Sequence, residues 1–218
     1  MQTRTILFDL DGTLVDSLPG IEFSVDSALA ECGRPARTRE LRPLIGPPIR
    51  SILSQLVTDA DDQNLSDLEQ AFRLSYDCAG WAKTVVAEDA AETLTGLRNA
   101  GLRLFVVTNK PANATRQILE RVGIWELFSD VLCRNSRAPA FPSKADMLRH
   151  VIEVHQLVPG ECLYVGDTSE DYRAAREVGM PVAIVAYGYG EPNPSHPDCV
   201  NLDKLNELLT MVEAMEMS

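Results

Sequence analysis

The sequence lacks the marks of membrane proteins, nucleic-acid-binding proteins and disulfide-rich proteins. No apolar run approaches the length that crosses a membrane, and residues 1–5 lead directly into an apolar strand, so no signal peptide is expected. Basic residues are scarce, 20 against 32 acidic ones, and the net charge of -12 argues against a nucleic-acid or membrane-surface partner. The five cysteines include no Cys-x-x-Cys pair, which favours reduced thiols over disulfides or a zinc site. We therefore expect a cytoplasmic protein that binds neither nucleic acid nor membranes.

Apolar patterning divides the chain into a helical part and an α/β part. Ile6, Leu7 and Phe8 predict a buried strand, whereas residues 17–80 contain no strand-like run and repeat apolar side chains at helical spacing. From about residue 88, four strands alternate with helices, which is typical of a parallel sheet covered on both faces. We predict an α/β fold with a core domain of residues 1–15 and 84–218, interrupted by an all-helical domain of residues 16–83.

Two segments near the end of the chain contrast with each other. The run "NLDKLNELLTMVEAM" predicts an amphipathic helix whose Leu202, Leu205, Leu209 and Val212 pack on the sheet. The run "YGYGEPNP" after the last predicted strand lacks the third glycine and the following helix of a dinucleotide-binding motif. It is predicted to form a flexible loop beside the functional site.

The first predicted strand ends in two closely spaced carboxylates. Asp9 and Asp11 are followed by Gly12 and Thr13. Carboxylates this close repel each other, so a folded protein keeps such a pair only where a cation, hydrogen bonds or a shared proton offsets the cost. The sequence therefore predicts that something positive lies at the end of this strand.

Other predicted strands also end in polar side chains. One ends in Thr108-Asn109-Lys110, another in Gly166-Asp167 with Asp171 four residues later, and Lys144 stands at the start of the helix between them. In an open parallel sheet, ligands bind at the carboxyl ends of the strands. The three strand-end carboxylates Asp9, Asp11 and Asp167, with two lysines and a hydroxyl in one small volume, favour a site for Mg²⁺ and a phosphate group.

These segments resemble the four motifs of the haloacid dehalogenase superfamily, on its phosphatase branch and near the phosphoglycolate phosphatase group. The motifs are "DLDGTLVDS" from Asp9, "VVTNK" up to Lys110, Lys144, and Asp167 with Asp171. The resemblance spans essentially the whole chain. It implies a Rossmann-like, doubly wound parallel sheet, with the inserted all-helical domain as a cap.

The resemblance also implies a catalytic cycle for the site. Asp9 would be the nucleophile that forms an aspartyl-phosphate, and Asp11 would be the acid and base. Thr108 would hold phosphoryl oxygens, and Lys144 would bridge Asp9 and the phosphate. The expected metal is Mg²⁺, held by Asp9, the backbone carbonyl of Asp11 and Asp167, with Asp171 close behind.

The same resemblance predicts further substrate contacts. Because Asp11 is present, the leaving group is expected to be an alkoxide that needs a proton, as in a phosphatase rather than a dehalogenase. Arg50 is expected to meet a second anionic group on the substrate. The predicted substrate-binding residues are Gly12, Thr13, Gly46, Arg50, Asn109 and Lys110.

The favoured function is hydrolysis of a small phosphorylated metabolite, with phosphoglycolate as the preferred type. A phosphotransferase of the β-phosphoglucomutase type and an inorganic pyrophosphatase are the alternatives. A non-catalytic phosphate-binding module is disfavoured because both Asp9 and Asp11 are intact. The sequence leaves open whether the protein is a monomer or a homodimer.

Overall fold

A parallel sheet forms the centre of the structure. The computed structural model describes residues 3–190 and 198–216. Its strands are β1 (Thr5–Phe8), β2 (Val15–Asp16), β3 (Val85–Val86), β4 (Arg103–Thr108), β5 (Asp130–Cys133), β6 (Cys162–Gly166), β7 (Val182–Val185) and β8 (Cys199–Leu202). Six of these strands pair in parallel in the order β5-β4-β1-β6-β7-β8, while β2 and β3 form a separate antiparallel pair.

Helices cover both faces of this sheet and fill the segment between β2 and β3. They are α1 (Leu18–Glu31), α2 (Ile49–Leu56), α3 (Asp62–Ser75), α4 (Ala90–Asn99), α5 (Ala112–Arg121), α6 (Lys144–His155), α7 (Ser169–Glu177) and α8 (Glu207–Glu216). The described residues therefore form the predicted α/β fold with a doubly wound parallel sheet. None of the helices in the described ranges combines the length and the apolar character that a membrane span requires.

The central strand β1 is buried on both faces, which explains its continuous apolar sequence. Ile6 and Phe8 join the core cluster beneath α4, α5 and α8, whereas Leu7 joins the cluster beneath α6 and α7. Each such side chain contributes roughly 1.5–3 kcal/mol when it is fully removed from water. The carboxyl end of β1 is consequently held in place by two cores at once.

The C-terminal segment differs from the prediction. Leu202 belongs to strand β8 and not to the helix, and α8 begins only at Glu207. Leu205 and Val212 are buried in the core as expected, and Leu209 is partly buried against it. The sequence did not predict β8 because Cys199–Leu202 is short and mostly exposed, so its strand conformation depends on pairing with β7.

The segment that joins β2 to β3, residues 17–84, is called the helical segment below. Its three α-helices pack around a core of their own that includes Val25, Leu53 and Leu68. Ala114 of α5 and Tyr189 also contribute to that core. The helical segment therefore packs directly on the part of the chain that carries the sheet, and the boundaries of a separate domain stay a prediction.

Candidate active site

Three neighbouring strands bring their carboxyl ends together at one edge of the sheet. Asp9 follows β1, Thr108 ends β4 and Asp167 follows β6. These strands are adjacent and parallel, in the order β4-β1-β6. The Asp9 amide also donates to the carbonyl of Val165 at 2.9 Å, so the β1–β6 pairing continues to the site itself.

Four charged side chains form what we call the strand-end cluster: Asp9, Asp167, Asp171 and Lys144. One carboxylate oxygen from each aspartate lies within 4.8 Å of the others. All four residues are at most 5% exposed. The structure thus gathers these predicted residues into one buried group.

Lys144 is the cation of this cluster. It is the first residue of α6, which begins there because the Ser143 hydroxyl accepts a hydrogen bond from the Asp146 amide. Its Nζ lies 2.6 Å from Asp171 Oδ1 and 3.2 Å from Asp9 Oδ2. Burial disfavours the charged ammonium, but attraction to the two carboxylates outweighs it and holds the pKa of Lys144 well above its usual value.

Asp171 already has its hydrogen bonds inside the protein. Its Oδ2 accepts from the amides of Asp167 and Thr168 and from the Thr168 hydroxyl, in the capping box that starts α7. Burial opposes its ionisation, yet Lys144 and these donors hold the pKa of Asp171 below its ordinary value. Asp171 is therefore a stable anion that holds Lys144 and the start of α7 in place.

In contrast to Asp171, Asp9 and Asp167 have raised pKa values. Burial raises the pKa of Asp9 to about 7, against the pull of Lys144, and neighbouring Asp171 and Asp11 add to the rise. Burial and the charges of Asp171 and Asp9 likewise raise the pKa of Asp167 well above its usual value. Asp9 Oδ1 is buried without a hydrogen-bond partner among the described residues.

This imbalance fits a divalent cation. Three buried carboxylates face a single buried ammonium in the cluster, and one carboxylate oxygen has no donor in the described ranges. A hard cation with oxygen ligands, such as Mg²⁺, supplies the charge that this arrangement lacks. Asp9 and Asp167 are the side chains placed to hold it, since the charge of Asp171 is already compensated by Lys144 and by the donors at the start of α7.

Gly12 allows the first motif to approach Asp167. Its φ of +83° is unfavourable for other residues, and a Cβ at this position would lie 2.2 Å from Asp167 Oδ2. The Thr13 hydroxyl lies on the same side, with Oγ1 3.4 Å from Asp167 Oδ1. Both predicted substrate-binding residues therefore contact the candidate metal ligand.

Asp11 and Lys110 form a second ion pair beside the cluster. Lys110 Nζ donates to both carboxylate oxygens of Asp11, at 2.9 and 3.0 Å. Burial disfavours the ammonium, but Asp11 and Tyr76 together outweigh it and raise the pKa of Lys110. The ring of Tyr76, from the helical segment, lies 4.9 Å from the same Nζ. In this structure the charge of Lys110 is directed at Asp11, and its contact with substrate stays a prediction.

The remaining predicted residues occupy different places. Thr108 is buried at the cluster, and its hydroxyl accepts from the Lys110 amide. The Asn109 side-chain amide donates to the Gly46 carbonyl at 3.3 Å and to Glu170, so it joins the sheet part to the helical segment. The contacts described for Arg50 go to Asp62, Ser66 and Glu69 of α3 instead of the strand-end cluster.

Two residues that reach this region were not predicted from the sequence. Tyr189 donates its backbone amide to Asp167 Oδ2 at 2.7 Å, and Arg42 of the helical segment donates to the carbonyls of Tyr187 and Gly188. The signal that marks them is the Tyr-Gly-Tyr-Gly run at 187–190. It was predicted to form a flexible loop, whereas residues 187–190 pack against Asp167, and the rest of "YGYGEPNP" lies outside the described residues.

Comparison with known proteins places this site in a family. Residues 6–185 match the family model of haloacid dehalogenase-like hydrolases. The chain belongs to this family. The match contains the strand-end cluster together with Asp11 and Lys110, and the predictions of a superfamily member and of a phosphatase-type hydrolase are confirmed.

Individual relatives cover almost the entire chain. A phosphoglycolate phosphatase of Vibrio parahaemolyticus is 37% identical over 96% of both chains. The solved structure of a predicted phosphoglycolate phosphatase from Haemophilus somnus superposes with a TM-score of 0.85 at 29% identity and covers 97% of this chain and 98% of that one. The tyrosine-protein kinase PtkA of Mycobacterium tuberculosis is 33% identical over 86% of this chain and 63% of its own length.

Proposed function

We propose that this family member is a Mg²⁺-dependent phosphatase that hydrolyses a small phosphomonoester of the phosphoglycolate type. The observation that carries the proposal is the buried Asp9 Oδ1, which has no hydrogen-bond partner among the described residues, while Oδ2 of the same carboxylate lies 3.2 Å from the ammonium of Lys144. A carboxylate oxygen in this condition is available as a nucleophile. The similarity to phosphoglycolate phosphatases supports the choice of substrate.

The first half of the reaction forms an aspartyl-phosphate. An Asp9 oxygen bonds to phosphorus while the bond from phosphorus to the leaving alkoxide breaks, and Asp11 donates a proton to that alkoxide. Lys144, held by Asp171 at 2.6 Å, contributes positive charge beside Asp9 as negative charge accumulates on the phosphoryl group. Thr108 and the backbone amides after Asp9 hold the phosphoryl oxygens.

The second half hydrolyses this intermediate. Asp11, now ionised and held by Lys110, takes a proton from the water that attacks phosphorus, and Asp9 is released. Asp9, Asp167 and the backbone carbonyl of Asp11 would hold Mg²⁺, with Asp171 supporting them. When bound, Mg²⁺ supplies charge that offsets the repulsion between the substrate phosphate and these carboxylates.

The position of the helical segment supports a small substrate. Its Gly46 carbonyl contacts Asn109, and its Tyr76 ring lies over Lys110, so it lies against the residues that follow β4 at the site. Asp9 is only 5% exposed in this arrangement. We propose that the helical segment acts as a cap that excludes both water and large phosphorylated molecules.

The experiment that tests this proposal measures phosphate release from a panel of compounds with Mg²⁺ and with EDTA. The panel contains phosphoglycolate, sugar phosphates, nucleotides, pyrophosphate and a phosphotyrosine peptide. Asp9→Asn is compared with Asp77→Asn, which changes an exposed aspartate of the helical segment. We expect Mg²⁺-dependent release that is fastest with phosphoglycolate, is retained in Asp77→Asn and falls by at least about 10³-fold in Asp9→Asn.

Each alternative function gives a different result. A mutase isomerises a sugar phosphate without releasing phosphate, and an inorganic pyrophosphatase prefers pyrophosphate. Turnover that persists in Asp9→Asn would contradict the aspartyl-phosphate mechanism. Turnover that is unaffected by EDTA would contradict the role of Mg²⁺.

A further inference from the structure

The loop of residues 187–190, called the tyrosine loop below, follows β7 and touches three parts of the molecule. It contacts Asp167 of the strand-end cluster, residues 16–18 where α1 begins, and Arg42 of the helical segment. No step of the proposed reaction uses Tyr189 or Arg42. Their contacts nevertheless join the helical segment to a candidate metal ligand.

The tyrosine loop contacts Asp167 through a hydrogen bond and through close packing of its backbone. The Tyr189 amide donates to Asp167 Oδ2 at 2.7 Å. A Cβ on Gly188 would lie 2.2 Å from the Asp167 Cβ, and a Cβ on Gly190 would lie 2.0 Å from the Asp167 carbonyl oxygen. The two glycines therefore let the loop backbone pack tightly against Asp167, and the position of the loop sets the orientation of this carboxylate.

The second contact joins the tyrosine loop to the start of the helical segment. The Tyr189 hydroxyl accepts hydrogen bonds from the amides of Ser17 at 2.7 Å and Leu18 at 3.1 Å, and it donates to Asp16 Oδ1 at 2.7 Å. The Ser17 side chain makes no capping hydrogen bond within the part of the chain that the structure describes. The phenol of Tyr189 thus accepts from two amides at the N-terminus of α1, where amides have no carbonyl partner within the helix.

The third contact comes from the helical segment itself. Arg42 Nη2 donates to the carbonyls of Tyr187 at 3.0 Å and Gly188 at 2.8 Å. Its guanidinium carbon also lies 5.4 Å from the centre of the Tyr189 ring. Arg42 therefore contacts both the backbone of the tyrosine loop and the aromatic ring of Tyr189.

We propose that Tyr189 and Arg42 are positioning residues that couple the seating of the helical segment to the geometry of the metal site. When the segment is seated, Arg42 and the α1 N-terminus fix the tyrosine loop, and the Tyr189 amide then orients Asp167 for the metal. Among the described contacts, the hydrogen bond from this loop to the Asp167 carboxylate comes from the Tyr189 backbone amide. This inference rests on the proposed function, since it takes Asp167 to be a ligand of Mg²⁺.

The test measures the Kd for Mg²⁺ alone by isothermal titration calorimetry on the full chain. The variants are Tyr189→Phe, which removes only the hydroxyl, and Arg42→Met, which removes the guanidinium but keeps an apolar stem. Arg39→Met is the matched control, because Arg39 lies in the same segment but donates to the Gln55 carbonyl at 3.1 Å. Groups that orient a metal ligand typically contribute 10- to 100-fold in affinity, so we expect a Kd raised about tenfold in Tyr189→Phe and Arg42→Met. Arg39→Met is expected to bind like the wild type.

A purely structural role gives a different pattern. In that case Tyr189→Phe and Arg42→Met lower the unfolding temperature of the metal-free protein and leave the Kd for Mg²⁺ unchanged, which overturns the inference. Under the inference, saturating Mg²⁺ restores most of the kcat of both variants. Arg42→Lys, which keeps the charge but loses the planar donor pair, provides a second measurement of the same coupling and is expected to fall between Arg42→Met and the wild type.

Asp167→Asn separates this inference from the proposed function. If Asp167→Asn abolishes Mg²⁺ binding while Tyr189→Phe and Arg42→Met bind normally, the coupling is wrong and the metal site stands. If Asp167→Asn binds Mg²⁺ like the wild type, the proposed metal site is wrong and the coupling falls with it.

Discussion

The strand-end cluster and the ion pairs of the helical segment use the same residue types but balance their charges differently. In the helical segment, Arg50 pairs with Asp62 at 2.5 Å and with Glu69 at 3.3 Å, and the Asp62 side chain is 95% exposed. In the cluster, Lys144 and its carboxylate partners are almost fully buried, and Asp9 Oδ1 has no hydrogen-bond partner among the described residues.

Water solvates the charges of the helical segment, whereas the protein itself must compensate the charges of the strand-end cluster. An exposed ion pair gains little free energy, because water and salt screen it and two long side chains lose freedom. A buried carboxylate without a partner costs several kcal/mol, so a chain keeps it only where a ligand or a reaction uses it. The negative charge left over in the cluster is therefore the clearest mark of function in this molecule.

Removing the single buried ammonium of the cluster is expected to have the largest effect on stability. In Lys144→Met, Asp9 and Asp171 lose their ion-pair partner in a site from which water is excluded. We expect the free energy of unfolding to fall by about 3–5 kcal/mol. Urea denaturation of the metal-free protein at neutral pH measures this change.

Asp171→Asn in the Lys144→Met background is the matched control. It removes one of the two stranded carboxylates, so it should recover part of the lost stability. Equal urea midpoints for Lys144→Met and the wild type would show that the buried charges of the cluster are compensated by other means.

The raised pKa of Asp9 predicts a pH dependence of smaller size. Between about pH 4 and the folded-state pKa of about 7, the folded chain keeps the Asp9 proton that the unfolded chain has released. Unfolding then releases a proton, so stability falls as the pH rises through this window, by at most about 1.4 kcal/mol per pH unit from this group. Mg²⁺ binds the ionised form and should stabilise the protein more at about pH 8 than at about pH 5.

Asp9→Asn tests the sign of this effect. The amide cannot titrate, so the stability of the variant relative to the wild type should increase from about pH 4 to 7 and then level off. Parallel stability curves for the two proteins would mean that Asp9 titrates near its ordinary value in the folded state.

The smallest effect is expected in the helical segment. Arg50→Met breaks the pairs with Asp62 and Glu69, but these partners regain hydration when the guanidinium is lost. The urea midpoint should stay within experimental error of the wild type at neutral pH. A large loss of stability would contradict this and show that the ion pairs of Arg50 stabilise the helical segment.

The apolar pattern and short motifs of the sequence were sufficient to predict most strands of the sheet and to single out the charged residues of the strand-end cluster. The strand "DVLC" coincides with Asp130–Cys133, and the predicted helix start at Lys144 is the first residue of α6. Both follow from local causes: short apolar runs form buried strands, and a serine before a lysine-led run caps a helix. Strand β8 was missed because its short, mostly exposed sequence contains no apolar run and its strand conformation depends on pairing with β7.

The amino-acid sequence by itself determined the fold class and which charged side chains stand at the strand ends, since apolar periodicity and short motifs are local properties. The tertiary structure alone decided where those charges point. It directs Lys110 to Asp11 and Arg50 to α3, and it brings the Tyr189 phenol to the Ser17 amide across 172 residues of sequence. Contacts of this kind depend on how the helical segment packs on the sheet, and no local pattern in the sequence encodes that packing.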